Sequence, residues 1–203
     1  SKALQAASMI IFPIMILLFV TANIFVLMLL TEKWLPIVPY FKLFCFSSMM
    51  YPLSGIVLNI LLVKGHSKMF LKLELLKKII GILSILIGSI WHIDGLVYGL
   101  VISSLVSFLI NSYYSGNLIK YSTIEQIKDI ANIFAIAFLS ISLAKLIGNY
   151  INNNVLQLVF IYIAGIFIYI FILNSFKIEI FMEIKNIILR NEILDLIKNL
   201  FTR

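Results

Sequence analysis

ALQAASMIIFPIMILLFVTANIFVLMLLT, residues 3–31, carries no charged side chain over 29 positions. The hydrocarbon core of a bilayer is about 30 Å thick, and about 20 helical residues cross it. A second uncharged run extends from Leu146 to Phe176. The whole chain is 62% hydrophobic and 12% charged, whereas soluble domains are about 45–50% apolar and about 25% charged. The composition therefore predicts an all-α, polytopic integral membrane protein. With no soluble basic domain in the chain, its net charge of +7 points to lipid headgroups or an anionic ligand rather than nucleic acid.

KWLPIVPYFKLFC, residues 33–45, lies between the first two apolar runs. Pro36 suits a first helical position, where its missing N–H costs no hydrogen bond. Trp34 and Tyr40 suit the membrane interface. The stretch reads as the turn between two spanning helices, with Lys33 outside them. Lys42 is the charge that a turn does not explain. In a helix starting at Pro36 it sits about 9 Å below the end. Either its stem snorkels back to the headgroups, or its ammonium faces an internal cavity.

Hydropathy predicts six spans: Leu4–Leu30, Pro36–Val63, Phe70–Ile90, Gly95–Leu118, Ile127–Ile147 and Val155–Phe176. The third must carry Glu74, Lys77 and Lys78 in its first turns, with the lysines snorkelling to the headgroups. Thirteen basic residues fall on one side: Lys2, Lys64, Lys68, Lys72, Lys77, Lys78, Lys120, Lys128, Lys177, Lys185, Arg190, Lys198 and Arg203. Lys33, Lys42 and Lys145 fall on the other. The positive-inside rule then puts both ends of the segment in the cytoplasm, and an even number of spans agrees.

Residues 177–203 differ from the spanning bundle of 1–176. Leu189, Ile193, Leu196, Ile197 and Leu200 follow one helical face, with Arg190, Glu192, Asp195 and Lys198 on the others. This tail reads as an amphipathic helix lying on the cytoplasmic membrane surface, or as a solvated helix packing on a further domain. Cys45 has no partner for an internal disulfide, and His66 and His92 are isolated on opposite sides, so no cofactor or metal site is expected. The chain opens Ser-Lys-Ala-Leu straight into its first helix, with no signal-peptide pattern. It is expected to be a piece of a longer chain.

Three features carry a family resemblance: EKWLP followed by a proline three residues later, YPL followed by LN and a lysine-glycine, and FLKLE followed by KKIIG. With LVISSLVSFLINSYYSG, residues 100–116, they make the first 120 residues resemble bacterial polysaccharide flippases of the Wzx type. These belong to the exporter superfamily that includes the MATE transporters. The resemblance implies two six-helix bundles facing each other across a central cavity, this chain being the second and the N-terminal bundle its partner. It also implies translocation of an isoprenoid-pyrophosphate-linked oligosaccharide across the bacterial inner membrane for surface polysaccharide synthesis.

Such cargo needs a polar face inside the membrane. In the fourth helix Ser103, Ser107, Asn111 and Ser115 recur every four residues. In the second, Ser47, Tyr51, Ser54 and Asn59 lie within about one face. Hydroxyls and amides suit sugars, which donate and accept hydrogen bonds; small polar residues also hold membrane helices together. Lys42, Tyr51, Asn59, Ser107 and Asn111 are the candidate substrate-binding residues. Pro52 frees the carbonyl of Ser48 and Pro13 that of Met9, each making a static kink or a hinge. No acidic residue lies in the core of the first, second, fourth or sixth span, which favours an anionic cargo over the organic cations of MATE-type export. A non-transporting scaffold of a glycan-assembly complex is a further alternative. The short loops TEKWLP, WHID and GNYINNN leave no room for a catalytic domain, so an enzyme is not expected.

The topology has a direct check. Single cysteines at His66 and Asn153, in a Cys45-free background, should react with impermeant reagent from opposite sides of the membrane. Reaction of both from one side would overturn the six-span arrangement.

Overall fold

In the computed structural model, which describes residues 2–189, every long element is a helix. This is the consequence of apolar surroundings, which offer the backbone no water and require each N–H and C=O to be satisfied within the segment. The helices are α1 (Lys2–Leu30), α2 (Val38–Val63), α3 (Ser67–Gly88), α4 (His92–Ile119), α5 (Thr123–Gly148), α6 (Asn154–Ser175) and α7 (Glu179–Leu189). Short 3₁₀ turns at Glu32–Ile37 and Ser89–Trp91 precede α2 and α4. Five helical stretches are long and apolar enough to cross a membrane, and one of them, Ser67–Ile119, is 53 residues long. It folds back at Ser89–Trp91, so the described residues hold six helices of spanning length, those of a multi-pass membrane protein. The helices match the six sequence-derived spans, with α3, α4 and α5 beginning three or four residues earlier, at Ser67, His92 and Thr123, and α2 two residues later than Pro36, at Val38.

The α3–α4 hairpin depends on small residues. A Cβ on Gly95 would lie 2.2 Å from the Gly88 carbonyl oxygen, and one on Gly99 would lie 2.8 Å from that of Ser84. Backbone meets backbone there, with Ser84 and Gly88 of α3 facing Gly95 and Gly99 of α4. Side chains this small let membrane helices approach closely enough for dispersion contacts to hold them.

α4 packs on α2 as well as α3, α2 packs on α1, and α1 packs on α5 and α6. The helices thus follow the order α3–α4–α2–α1–α5, with α6 against both α1 and α5. α1 is the hub. Phe12, Ile16 and Leu17 are almost wholly buried, and Phe12 meets Phe134 of α5 edge to face at 5.5 Å.

One end of the bundle holds the turns at 31–37, 89–91 and 149–153; we call it the Trp34 end. The opposite, Lys64 end holds the start of α1 and the other turns. There α2, α4 and α6 close with the same device. Gly65, Lys120 and Lys177 have left-handed φ values of 80°, 53° and 49°. The next amide reaches back five residues, from His66 to Leu61, Tyr121 to Gly116 and Ile178 to Leu173, at 2.8–3.2 Å. This 6→1 bond satisfies a terminal carbonyl, and lysine near a helix C-terminus is favoured by the dipole.

α5 starts with a capping box, Ser122 Oγ accepting from the Glu125 amide at 3.2 Å and Glu125 Oε2 accepting from the Ser122 amide at 2.8 Å. Beside it the Tyr121 hydroxyl donates to Asp129. Burial and that carboxylate hold the phenol well above its usual pKa, so it remains a donor. α7 packs on α1 and α6: Lys2 pairs with Glu183, Lys185 donates to Asn174 Oδ1 at 2.7 Å, and Ile180 is buried. The part of the expected surface stripe formed by Ile193, Leu196, Ile197 and Leu200 lies outside the described residues.

The hairpin contact predicts a contrast between two glycines. Gly95→Ala should destabilise the protein by about 1–3 kcal/mol through overpacking. Gly81→Ala, where a Cβ meets nothing within 4 Å, should be neutral or stabilising by up to about 1 kcal/mol. Thermal unfolding in detergent measures both, and equal effects would refute the close approach.

Candidate functional site

α3 carries its charges well inside the helix. Lys77 is the eleventh residue of the helix, ten after Ser67. At 1.5 Å per residue that puts it about 15 Å in, near the middle of a 22-residue span. Glu74, Lys77 and Lys78 occupy the second to fourth turns of α3, about halfway along the helix. Glu74 Oε1 and Lys77 Nζ pair at 2.5 Å. This i,i+3 geometry supplies a counter-charge where water is scarce. Ionisable groups at such depth face protein or a wet cavity and mark functional sites.

They line a cavity of about 470 Å³ between α2, α3 and α4. α2 contributes Ser47, Tyr51, Pro52 and Ser54, and α4 contributes Ser103, Ser104 and Ser107. Tyr51 is 81% exposed, a full phenol presented to the opening. Hydroxyl groups that both donate and accept thus stand around two ammonium groups and one carboxylate. Among the described residues Lys78 has no carboxylate partner. The cavity carries a net positive charge.

The i,i+4 series on α4 does not serve one surface. Each step of four turns 400°, about 40° past a full revolution, so the series winds around the helix. Gly95 and Gly99 meet α3, and Ser103 and Ser107 reach the cavity. Asn111 is fully buried against α2; its Nδ2 donates to Ser54 Oγ at 2.7 Å and Ser54 O at 3.1 Å. Ser115 Oγ donates to the Asn111 carbonyl at 2.7 Å.

Of the candidate binding residues, Tyr51 and Ser107 thus come together. Asn111 joins α4 to α2. Asn59 lies in a separate groove toward the Lys64 end, with Lys64, Tyr121 and Gln126. Lys42 is on the opposite side of α2, its ammonium 5.7 Å from the centre of the Phe19 ring. Glu74, Lys77 and Lys78 are the cavity residues that sequence reasoning did not bring to the site.

The two prolines differ. The Met9 carbonyl freed by Pro13 accepts from the Tyr169 hydroxyl of α6 at 3.1 Å, in the buried interior. That bend is pinned. Pro52 lines the cavity, and among the described residues no side chain donates to the Ser48 carbonyl.

If Asn111 is the α2–α4 fastener, a double-mutant cycle with Asn111→Ala and Ser54→Ala should show a coupling of about 0.6–1.7 kcal/mol, the range for membrane hydrogen bonds. Additive losses of stability would remove it from that role.

Residues 1–39 match a family described as "Polysaccharide biosynthesis protein". Over 138 residues, 68% of this chain, the sequence is 29% identical to a Klebsiella pneumoniae protein named "Uncharacterized membrane protein in cps region". The match takes in 28% of that protein, so the chain spans well under half the length of this curated relative. No solved structure matches the chain.

Proposed function

We propose that this chain is part of a membrane protein of polysaccharide biosynthesis, and that its task is transport. Its cargo is an oligosaccharide linked through pyrophosphate to an isoprenoid lipid, which it helps carry across the bacterial inner membrane. The observation that carries this reading is the cavity between α2, α3 and α4, about halfway along those helices. A glycan crossing hydrocarbon needs hydrogen-bond partners throughout its path, and Ser47, Ser103, Ser104, Ser107 and Tyr51 provide them there. Its phosphates need cations, and Lys77 and Lys78 exceed Glu74 by one charge. The similarity to the polysaccharide biosynthesis family and the cps-region protein supports the pathway.

In this reading a second helical bundle supplies the opposing wall, in keeping with the greater length of the Klebsiella relative. The Lys64 end faces the cytoplasm, since it holds most of the basic residues. Pro52 is the hinge, because it borders the cavity and its freed carbonyl is not held by a neighbouring side chain; Pro13 is a fixed bend. The cavity carboxylate gives one specific reason to keep a second reading, a MATE-type exporter of organic cations using Glu74.

Translocation of a fluorescent lipid-linked oligosaccharide by the full-length protein in proteoliposomes separates the two. Lys77→Met with Lys78→Met should reduce translocation at least tenfold at equal protein level, and Tyr51→Ala should reduce it severalfold. Wild-type rates in both variants would reject the cavity as the path. Cation efflux abolished by Glu74→Gln, without glycolipid translocation by the wild type, would establish the exporter instead.

A further inference from the structure

α1 carries a second cationic cluster. Lys145 of α5 reaches across to α1 and donates to the Val20 carbonyl at 2.5 Å. Lys42 of α2 rests over the ring of the neighbouring Phe19. Two helices that do not follow one another in sequence thus bring their ammonium groups to successive residues of α1. Both lysines are half-buried, and among the described residues neither pairs with a carboxylate. Val20 lies ten residues before the end of α1, about 15 Å below it along the helix axis. On their own helices both lysines lie toward the Trp34 end, Lys145 three residues before the end of α5 and Lys42 the fifth residue of α2, and their ammonium groups turn inward to α1.

This cluster is separate from the α2–α3–α4 cavity. Lys42 and Tyr51 are nine residues apart on α2, and nine steps of about 100° put them on opposite faces. The partners present are weak for such charges. A ring face and one backbone carbonyl stabilise the cations without neutralising them, and the two like charges raise each other's energy. Half-buried charges on membrane-spanning helices are paired or serve a ligand. The three N–H groups of each ammonium leave most donors unused, which suits an anion with several oxygens. Lysine binds phosphate as a compact point charge, without the fixed fork of arginine.

We propose that Lys42 and Lys145 form a binding site for a phosphate or pyrophosphate group, with Phe19 and Val20 of α1 as its floor. The group arrives either as a free anion or on a lipid headgroup, and the chemistry is the same. In the proposed transport reading this would be a station nearer the Trp34 end than the cavity, but the site does not depend on that reading.

Purified protein carrying Lys77→Met and Lys78→Met, which removes the cations proposed to meet phosphate in the α2–α3–α4 cavity, is titrated with inorganic pyrophosphate in nonionic detergent as the first measurement and serves as the reference for the variants below. The unfolding temperature should rise saturably. Lys42→Met and Lys145→Met should each weaken the apparent affinity at least fivefold, and the two together, the double methionine variant, should abolish the rise. Methionine preserves an apolar stem of similar length, and the double arginine variant at Lys42 and Lys145, expected to stay within about threefold of the reference, controls for folding. Lys33→Met, which removes a charge from the Trp34 end outside the site, should leave the titration unchanged. The second measurement is native mass spectrometry after extraction from nanodiscs of phosphatidylglycerol or phosphatidylcholine. A headgroup source predicts retention of one phosphatidylglycerol molecule, lost in the double methionine variant. A free-anion source predicts the pyrophosphate response without lipid retention. Absence of both responses, or either one surviving intact in the double methionine variant, overturns the site.

Discussion

A backbone inside hydrocarbon has no water to satisfy it, and this constraint governs every level of the bundle. It makes each span a helix. It also demands a donor from elsewhere wherever a helix cannot close its own bonds. Pro13 opens α1 at the Met9 carbonyl, and Tyr169 of α6 supplies the missing donor from across the core. A bend in the central helix is thereby tied to the position of the sixth. At the helix ends the same requirement produces the reaching-back amides of His66, Tyr121 and Ile178.

Association of the helices has a different origin. Lipid chains are as apolar as leucine, so burial from water contributes little, and packing and hydrogen bonds between helices must suffice. α4 uses both in succession along one winding series. Glycines at its Trp34 end allow backbone contact with α3, serines at mid-height stand back from α3 and α2, and Asn111 then draws α2 in. The cavity is the interval between two fastenings. Its contents follow from that geometry: hydroxyls from α2 and α4, and charges that α3 keeps at depth because Glu74 and Lys77 compensate each other.

The bundle therefore has two cationic places on opposite faces of α2. One is lined by hydroxyls and includes a carboxylate. The other lies on α1 among apolar residues, with Lys145 and Lys42 held only by a carbonyl and a ring. The first suits a hydrated, hydroxyl-rich group, and the second suits a bare anion. A cargo with a sugar portion and a phosphate portion has a use for both.

By itself the sequence determined that six helices cross a membrane and which turns share an end, because length, apolarity and lysine distribution are properties of single segments. It also identified the prolines and the small polar residues as exceptional. Only the tertiary structure decided what each exception does. Asn111 and Ser107 are indistinguishable by spacing, yet about 40° of rotation per step sends one to α2 and the other to the cavity. Lys42 was legible as an unexplained charge, but Lys145 looked like an ordinary end-of-helix lysine until α5 was packed against α1. Lys77 was legible as a charge on the third span, but that it lines a cavity with α2 and α4 required the packed bundle. Which face a residue presents, and who stands opposite, is set by the neighbours of a helix and is not written in its own period.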